Sequence, residues 1–271
     1  FFCCLEAYPF FAQDLNIASF NIRLNTPADG INAWPNRTDD VTGLLRFHEV
    51  DLFGLQEVLY GQMKDIQRAL PQFGWMGTGR DDGHEKGEFC PLFYDKNKLT
   101  LIEKGQFWLS ETPEKPGPGW DAACNRVCTW GKFLQKETGK QFYVFNTHFD
   151  HMGDTARANS AVLICDSVAA KNQDKNLPVI LTGDFNLTPD TQPISLIKKE
   201  FNDSRDVSVE PPYGPYGTYN GFDHNSPLDR RIDYIFVNKK VSVLKYAVLS
   251  DSKDNRYPSD HLPVFVKILL H

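Results

Sequence analysis

In the stretch VILTGDFN, residues 179–186, an apolar run passes through a glycine into Asp184 and then Asn186. A carboxylate can take a proton from water or hold a cation, and an amide can donate to an anionic oxygen, so the pair suits hydrolysis of a charged substrate. The same residues are turn formers, and a strand has to end somewhere. If extended geometry persists, Asp184 and Asn186 share one face and Phe185 points into packing. Other polar residues abut apolar runs in the same way: Asn21 in IASFNIR, Glu57 after DLFGLQ, His148 closing YVFNTH, Asp233 opening DYIFV, and Asp260 with His261 before LPVFVKILL. Each has an ordinary explanation as a strand-edge amide, surface acid, turn cap or satisfied core histidine. A buried polar group without a partner costs on the order of 1–3 kcal/mol, and eight such positions are better explained by one shared site.

The elements that would position these residues are mostly strands. Strand-like runs lie at 15–22, 51–56, 89–94, 126–135, 141–148, 178–185, 232–237, 241–249 and 262–270, many of them β-branched or aromatic and bounded by turn residues. Residues Lys136 to Lys140 read as a hairpin loop between two of them. Helices are expected over Thr38–Phe47, with Asp39 and Asp40 at its positive end, and over Gly61–Leu70, Thr155–Ala170 and Thr191–Lys199. In the third, Ala158, Ala161, Val162, Cys165, Val168 and Ala169 form an apolar stripe behind an Asp154 or Thr155 cap. Strands outnumber helices, and a helix follows only some of them. This predicts an α+β domain of sheets packed face to face with helices outside, rather than a doubly wound parallel sheet.

The 271 residues suffice for one large core, and no linker or composition break divides them. The net charge of −6 comes without any run of Lys or Arg, so a broad grip on long nucleic acid is not expected. Six cysteines include no CxxC pair, which excludes a zinc ribbon or disulfide scaffold. Cys124 and Cys128 fall in one expected strand, about 13 Å apart and too far to bridge. The opening FFCCLEAYPFFAQ reads as the end of a secretory signal or as an N-terminal arm, residues 1–13, leaving a catalytic domain over 14–271. Export to the periplasm or outside the cell is the corresponding expectation, with a cytoplasmic location as its alternative. No stretch is long and apolar enough for a membrane-spanning helix, and the chain is expected to be a monomer.

The ordered set SFNIR, LQEV, NTHFDH, LTGDFN, RIDYIFV and SDHLPV resembles the endonuclease/exonuclease/phosphatase superfamily, in its bacterial members near the deadenylases. The resemblance runs from Leu15 to Leu270. It implies the fold of pancreatic deoxyribonuclease, a four-layer α/β/β/α sandwich of two mixed, mainly antiparallel sheets flanked by helices, with the active site at one rim. It also implies metal-dependent hydrolysis of a phosphoester, with Mg²⁺, or Mn²⁺ in its place, neutralising charge as water attacks in line. By the same resemblance Glu57 is the principal metal ligand, Asn21 stands beside it, and Asp260 is a further ligand. Asp184 orients or deprotonates the water, Asn186 and His148 donate to the phosphoryl oxygens, and His261 does so with Asp233 steadying it.

Arg23 occupies a position where repair-type members carry an acid, which puts a second metal contact there in doubt. Arg126 shares an expected strand face with Trp130 and reads either as a phosphate clamp or as half of an ion pair. Arg37 and Arg157 read as ion-pair residues, while Asp150 and His224 are left without a role. NTHFDH also resembles the HxHxDH signature of binuclear zinc hydrolases, but Asn146 replaces its first histidine and the chain has only seven in all. A rival of another class, a binding module that kept the fold and lost the chemistry, predicts erosion at Glu57, Asp184, Asn186, Asp260 or His261, and none is eroded. The substrate expected is a phosphorylated small molecule or a short nucleic acid, since loops decide between them.

Overall fold

The computed structural model describes residues 14–173 and 177–271. The expected arm or signal remnant at 1–13 lies outside the described residues. Two six-stranded sheets pack face to face. One has the order β11-β12-β1-β2-β4-β3, the other β5-β6-β7-β8-β10-β9. The strands of the first are β1 (Asp14–Asn21), β2 (Leu52–Gln56), β3 (Phe73–Met76), β4 (Leu92–Asp95), β11 (Val241–Val248) and β12 (Val264–Leu270). Those of the second are β5 (Leu99–Trp108), β6 (Val127–Gln135), β7 (Gln141–His148), β8 (Val179–Asp184), β9 (Asn202–Asp203) and β10 (Asp233–Val237). Among the described strands, only β1–β2 and β7–β8 pair in parallel. Helices α1 (Thr38–Phe47) and α2 (Tyr60–Ala69) cover the outer face of the first sheet, and α3 (Asp154–Lys171) and α4 (Gln192–Glu200) that of the second. This is the four-layer α/β/β/α sandwich that the sequence implies.

Alternation along the strands creates three apolar layers and, within the middle one, a gradient. In β1, Ala18 and Phe20 pack under the helices while Leu15 and Ile17 face the other sheet. Continuing along that inner face by the two-residue period gives Ser19 and then Asn21. The same progression runs through Phe142, Val144, Asn146 and His148 in β7, through Ile180, Thr182 and Asp184 in β8, and through Val237, Ile235 and Asp233 in β10. The interior is therefore apolar at one end, amide and hydroxyl in the middle, and ionisable at the rim.

The middle tier explains Gly54. Gln56 Nε2 donates to Asn146 Oδ1 at 2.7 Å, Thr182 Oγ1 donates to the same oxygen at 3.0 Å, and Asn146 Nδ2 donates to the carbonyls of Leu55 and Pro91 at 2.8 and 2.9 Å. A Cβ on Gly54 would come within 2.5 Å of both Asn146 Oδ1 and Thr182 Oγ1. Only glycine lets the sheets close onto this polar layer.

Several expectations need correction. Strands β3, β5 and β9 lack a run of alternating apolar residues. The expected strand at 89–94 starts only at Leu92, because Pro91 cannot donate to the ladder and Phe89 makes an isolated bridge to Val58. Cys124 and Arg126 precede β6 rather than lying in it, so Arg126 does not share a strand face with Trp130, and Cys90, Cys124, Cys128 and Cys165 are all free. The buried stripe of α3 is Ala156, Ser160, Ala161, Ile164 and Val168, rotated from the expected one, with Val162 exposed. Its N-cap is Gly153, and the carboxylate of Asp121, from a distant loop, accepts from the backbone of Thr155 and Ala156 at 3.2 and 2.6 Å.

Candidate active site

Strand register alone assembles half of the site. His148 stands opposite Asp184 across the parallel β7–β8 pair, and Asp233 stands opposite Asp184 across the antiparallel β8–β10 pair. The first sheet supplies the rest. Asn21 ends β1, Glu57 follows β2, and Asp260 and His261 form the corner before β12. Contacts across the gap between the sheets join the two sets. Asn21 Nδ2 donates to Asp184 Oδ2 at 3.0 Å and to Glu57 Oε1 at 3.1 Å, and His261 Nδ1 lies 2.9 Å from Asp233 Oδ2. His261 Nε2 and His148 Nε2 approach Asp184 Oδ2 from two sides at 3.7 and 3.5 Å. Glu57 and His261 thus lie at one rim, where a cleft of about 390 Å³ opens between the sheets.

Asn186 does not reach the site by continuing the strand. β8 ends at Asp184, and Asn186 adopts a left-handed backbone at φ 51°, its N–H donating to Asp184 Oδ1 at 2.9 Å. Phe185 is buried in the outer core as expected. The side-chain amide of Asn186 donates to the carbonyl of Phe149 at 3.0 Å, which orients its nitrogen toward His148 Nε2 at 3.1 Å. His148 therefore accepts at Nε2, and its Nδ1 is buried without a partner among the described residues. Glu57 and Arg23 are also left-handed, at φ 62° and 57°, so backbone strain collects at this rim, as it does where site geometry dominates.

Burial and neighbouring charge set the protonation states. Burial raises the Asp184 carboxyl, the charge of Asp233 raises it further, and His261, Asn21 and the Asn186 N–H oppose them, leaving it at about 7. Burial alone would depress His261, but Asp233 and Asp184 overcome it and hold the imidazole well above its ordinary range. His148 goes the other way, pushed well down by burial and then by Arg126 and Arg80. One imidazolium and one neutral imidazole thus flank a carboxylate poised near neutrality.

Glu57 and Asp260 supply hard oxygen donors at the other end of the cleft. Glu57 Oε2 accepts from the Leu24 N–H at 3.2 Å, and its side chain keeps 15% of its exposure. Burial raises the Asp260 carboxyl, and of its charged neighbours Glu57 adds to that rise while His261 and Arg23 oppose it. Asp260 and Glu57, both lining the open cleft, fit a small divalent cation. Where repair-type members carry an acid, Arg23 instead pairs with Asp29 at 3.0 Å and leans on Glu57 at 3.8 Å, so the position presents a cation. Among the described residues, two clusters of three have ligand-like geometry: Asp184, Asp233 and His261, and Cys124, Asp150 and His151. In the first the imidazole is hydrogen-bonded to Asp233, and in the second a guanidinium takes the place a cation would occupy.

That guanidinium belongs to Arg126. Its Nε is 3.5 Å from Asp150 Oδ1 and its Nη2 is 3.1 Å from His151 Nδ1, while Nη1 is buried without a partner among the described residues and the side chain lines the cleft. Asp150 thereby gains a role: it holds Arg126 and accepts from the Met152 and Gly153 N–H groups at 2.9 and 2.8 Å. Arg157 pairs with Asp154 as expected, but Arg37 pairs with no carboxylate among the described residues. His224 is exposed and lies against the Tyr257 ring. The sequence reading overlooked Arg80 and Glu88, which form a bidentate pair at 2.7 and 2.8 Å in the cleft wall, and Arg230, which lies over Tyr219 beside His261. They sit on loops, where no periodic pattern marks them.

The model of the endonuclease/exonuclease/phosphatase family matches residues 18–261, and the chain belongs to that family. A mannosyl-6-phosphatase of Bacteroides thetaiotaomicron is 41% identical, with a TM-score of 0.91, over 94% of this chain and 100% of that one. A second protein of the family from the same organism is 40% identical, also with a TM-score of 0.91, over 95% of this chain and 98% of that one. An exoribonuclease subunit of the CCR4-Not complex of Mycosarcoma maydis is 24% identical over 93% of this chain and 49% of that protein. The chain is accordingly a phosphoric ester hydrolase of this family, and no described helix is long and apolar enough to cross a membrane.

Proposed function

We propose that this member of the endonuclease/exonuclease/phosphatase family removes the phosphate from a phosphorylated sugar, with Mg²⁺ held by Glu57 and Asp260. The carrying observation is that Asp184, its carboxyl raised to about 7, stands between His148 and His261 at the rim that also bears the two acids. Similarity to the mannosyl-6-phosphatase over its whole length supports the sugar. The chain's net charge of −6 speaks against a long polyanion.

In this reading Asp184 accepts the proton of the attacking water, a task suited to a carboxyl near 7, as the water oxygen bonds to phosphorus and the bond from phosphorus to the sugar oxygen breaks; the sugar leaves as its alcohol with a proton from solvent. The His261 imidazolium, held by Asp233, donates to a phosphoryl oxygen. Asn186, donating to His148 Nε2 and to the Phe149 carbonyl, holds the neutral His148 ring beside Asp184, and Nη1 of Arg126 donates to a second phosphoryl oxygen. The bound Mg²⁺ supplies positive charge against the phosphate and is replaceable by Mn²⁺. Export of the protein as a monomer, to release phosphate from scavenged compounds, completes the proposal, and fractionation of the native cell tests that part.

Phosphate release is to be measured on a panel of hexose 6-phosphates, mannosyl 6-phosphate included, with nucleotides and short oligonucleotides, in Mg²⁺ and in chelator. Mg²⁺-dependent turnover strongest on the sugar phosphates is expected. Turnover confined to oligonucleotides would replace the substrate, and chelator-insensitive hydrolysis would remove the metal.

A further inference from the structure

Arg37 lies between a short 3-10 turn (Trp34–Asn36) and α1 and is only 3% exposed. Its guanidinium donates to four backbone carbonyls: Nε to Asn32 at 2.5 Å, Nη1 to Ile22 at 2.8 Å and to Pro258 at 2.7 Å, and Nη2 to Arg23 at 3.3 Å. The plane is also flanked by two rings, Trp34 at 5.5 Å and Phe222 at 5.2 Å from Cζ to centroid. A buried cation without a carboxylate partner is costly, and burial lowers this group to about 10. A neutral side chain would fill the same space at less cost, so the guanidinium is doing something that packing alone does not require.

Its partners show what. Ile22 and Arg23 directly follow Asn21, and Pro258 is two residues before Asp260. Phe222 ends a turn seated on that same corner: the N–H groups of Asn220 and Gly221 donate to the Asp260 carbonyl at 2.8 and 3.0 Å, and Asn220 Nδ2 donates to the Ser259 carbonyl at 3.0 Å. Ser259 Oγ closes the ring by donating to the Asn21 carbonyl at 2.7 Å. Three segments distant in sequence, each next to a site residue, thus meet on one side chain that itself does not line the cleft.

We propose that Arg37 is a positioning residue, whose planar set of donors fixes the corner bearing Asp260 and His261 against the strand end bearing Asn21. The proposal rests on the assignment of Glu57 and Asp260 as the metal end of the site. Lysine cannot replace it, since an ammonium has three donors around a point and no plane to lie between rings.

The test compares wild type with Arg37→Lys and Phe222→Leu by amide hydrogen exchange, Mn²⁺ binding followed by the electron paramagnetic resonance of the free ion, and steady-state kinetics. In Arg37→Lys, exchange is expected to rise roughly tenfold in segments 21–24, 219–223 and 257–261 but not in α3 and α4. Mn²⁺ affinity is expected to fall about fivefold, and kcat about tenfold with KM within about threefold. Phe222→Leu, at a half-buried position and leaving every hydrogen bond of Arg37 in place, is expected to show a smaller rise confined to 219–223 and 257–261. Wild-type exchange in those segments, or a rise spread evenly over the chain, overturns the proposal. If Arg37→Lys does not fold, Phe222→Leu decides on the same criteria. Should the wild type bind Mn²⁺ yet hydrolyse no sugar phosphate, the functional reading fails while exchange and binding still judge Arg37.

Discussion

Replacing Asp233 by Asn separates the electrostatics of the site from its shape. Asp233 is fully buried, does not line the cleft, and lies 2.9 Å from His261 Nδ1. The amide oxygen of asparagine can still accept from Nδ1, so the ring keeps its orientation and loses only the charge behind it. Removing one member of a buried ion pair costs about 3–5 kcal/mol. If most of that is lost from the transition state, kcat falls by about two to three orders of magnitude, while KM stays within about threefold because no group facing substrate has changed. The pH profile carries a sharper signature. In the proposed mechanism activity requires Asp184 deprotonated and His261 protonated, so in the wild type it is expected to rise with pH through about 7 and to fall only well above the ordinary histidine range. Without the charge of Asp233, which raises both groups, both limbs move to lower pH. The assay is kcat/KM between about pH 5 and 9 at saturating metal. An acid limb that stays in place, or a loss of less than tenfold, would refute the coupling described here.

Glu57→Gln removes a charge and keeps an oxygen for only one of the Asn21 amide and the Leu24 N–H, so metal affinity is expected to fall by about two orders of magnitude with a modest fall in melting temperature; titration calorimetry with Mn²⁺ decides, and unchanged affinity would move the metal elsewhere. Gly54→Ala forces a methyl to within 2.5 Å of Asn146 Oδ1 and Thr182 Oγ1, and a loss of about 1–3 kcal/mol is expected in urea unfolding. Asp150 tests acid stability. Burial alone would raise its carboxyl, but N–H donors from Gly153, Met152 and Ala123, with Arg126, outweigh that and hold it at about 2. A group depressed on folding stabilises above its unfolded value and loses that contribution as pH falls through the folded one. Asp150→Asn should therefore cost at most about 2 kcal/mol at pH 7, allowing for screening, and progressively less between about pH 4 and 2; urea midpoints equally separated at both ends would contradict it.

The parts of this architecture that repeat are the parts that could be read from the sequence. β1, β7, β8, β10 and β12 carry alternating or continuous apolar residues, and their polar ends were recognisable because each interrupts such a run. β3 and β5 were not, since FGWM is four residues long and LTLIEKGQFW carries exposed polar residues along an edge strand. A shared strand face for Asp184 and Asn186 depends on an extended chain, and Asx-turn chemistry overrides it at Asn186. Arg37 looked like an ion-pair residue because carbonyl partners leave no trace in sequence, and Arg80, Glu88 and Arg230 escaped because loops carry no period.

The gradient along the inner strand faces accounts for both the location and the reactivity of the site. An ionisable group in the middle of the sandwich would pay full desolvation, and one on an outer loop would titrate near its ordinary value. At the rim, Asp184 is backed by Thr182 and Asn146 and keeps one side on the cleft, so burial and Asp233 raise its carboxyl without silencing it. Moving the polar tier one rung toward the centre would be expected to neutralise Asp184 altogether, and moving it outward would return the carboxyl to its usual acidity. A carboxyl poised near neutrality is thus a consequence of where the apolar residues of β7, β8 and β10 stop, which links the two-residue period of the sequence to the protonation state that the proposed mechanism uses.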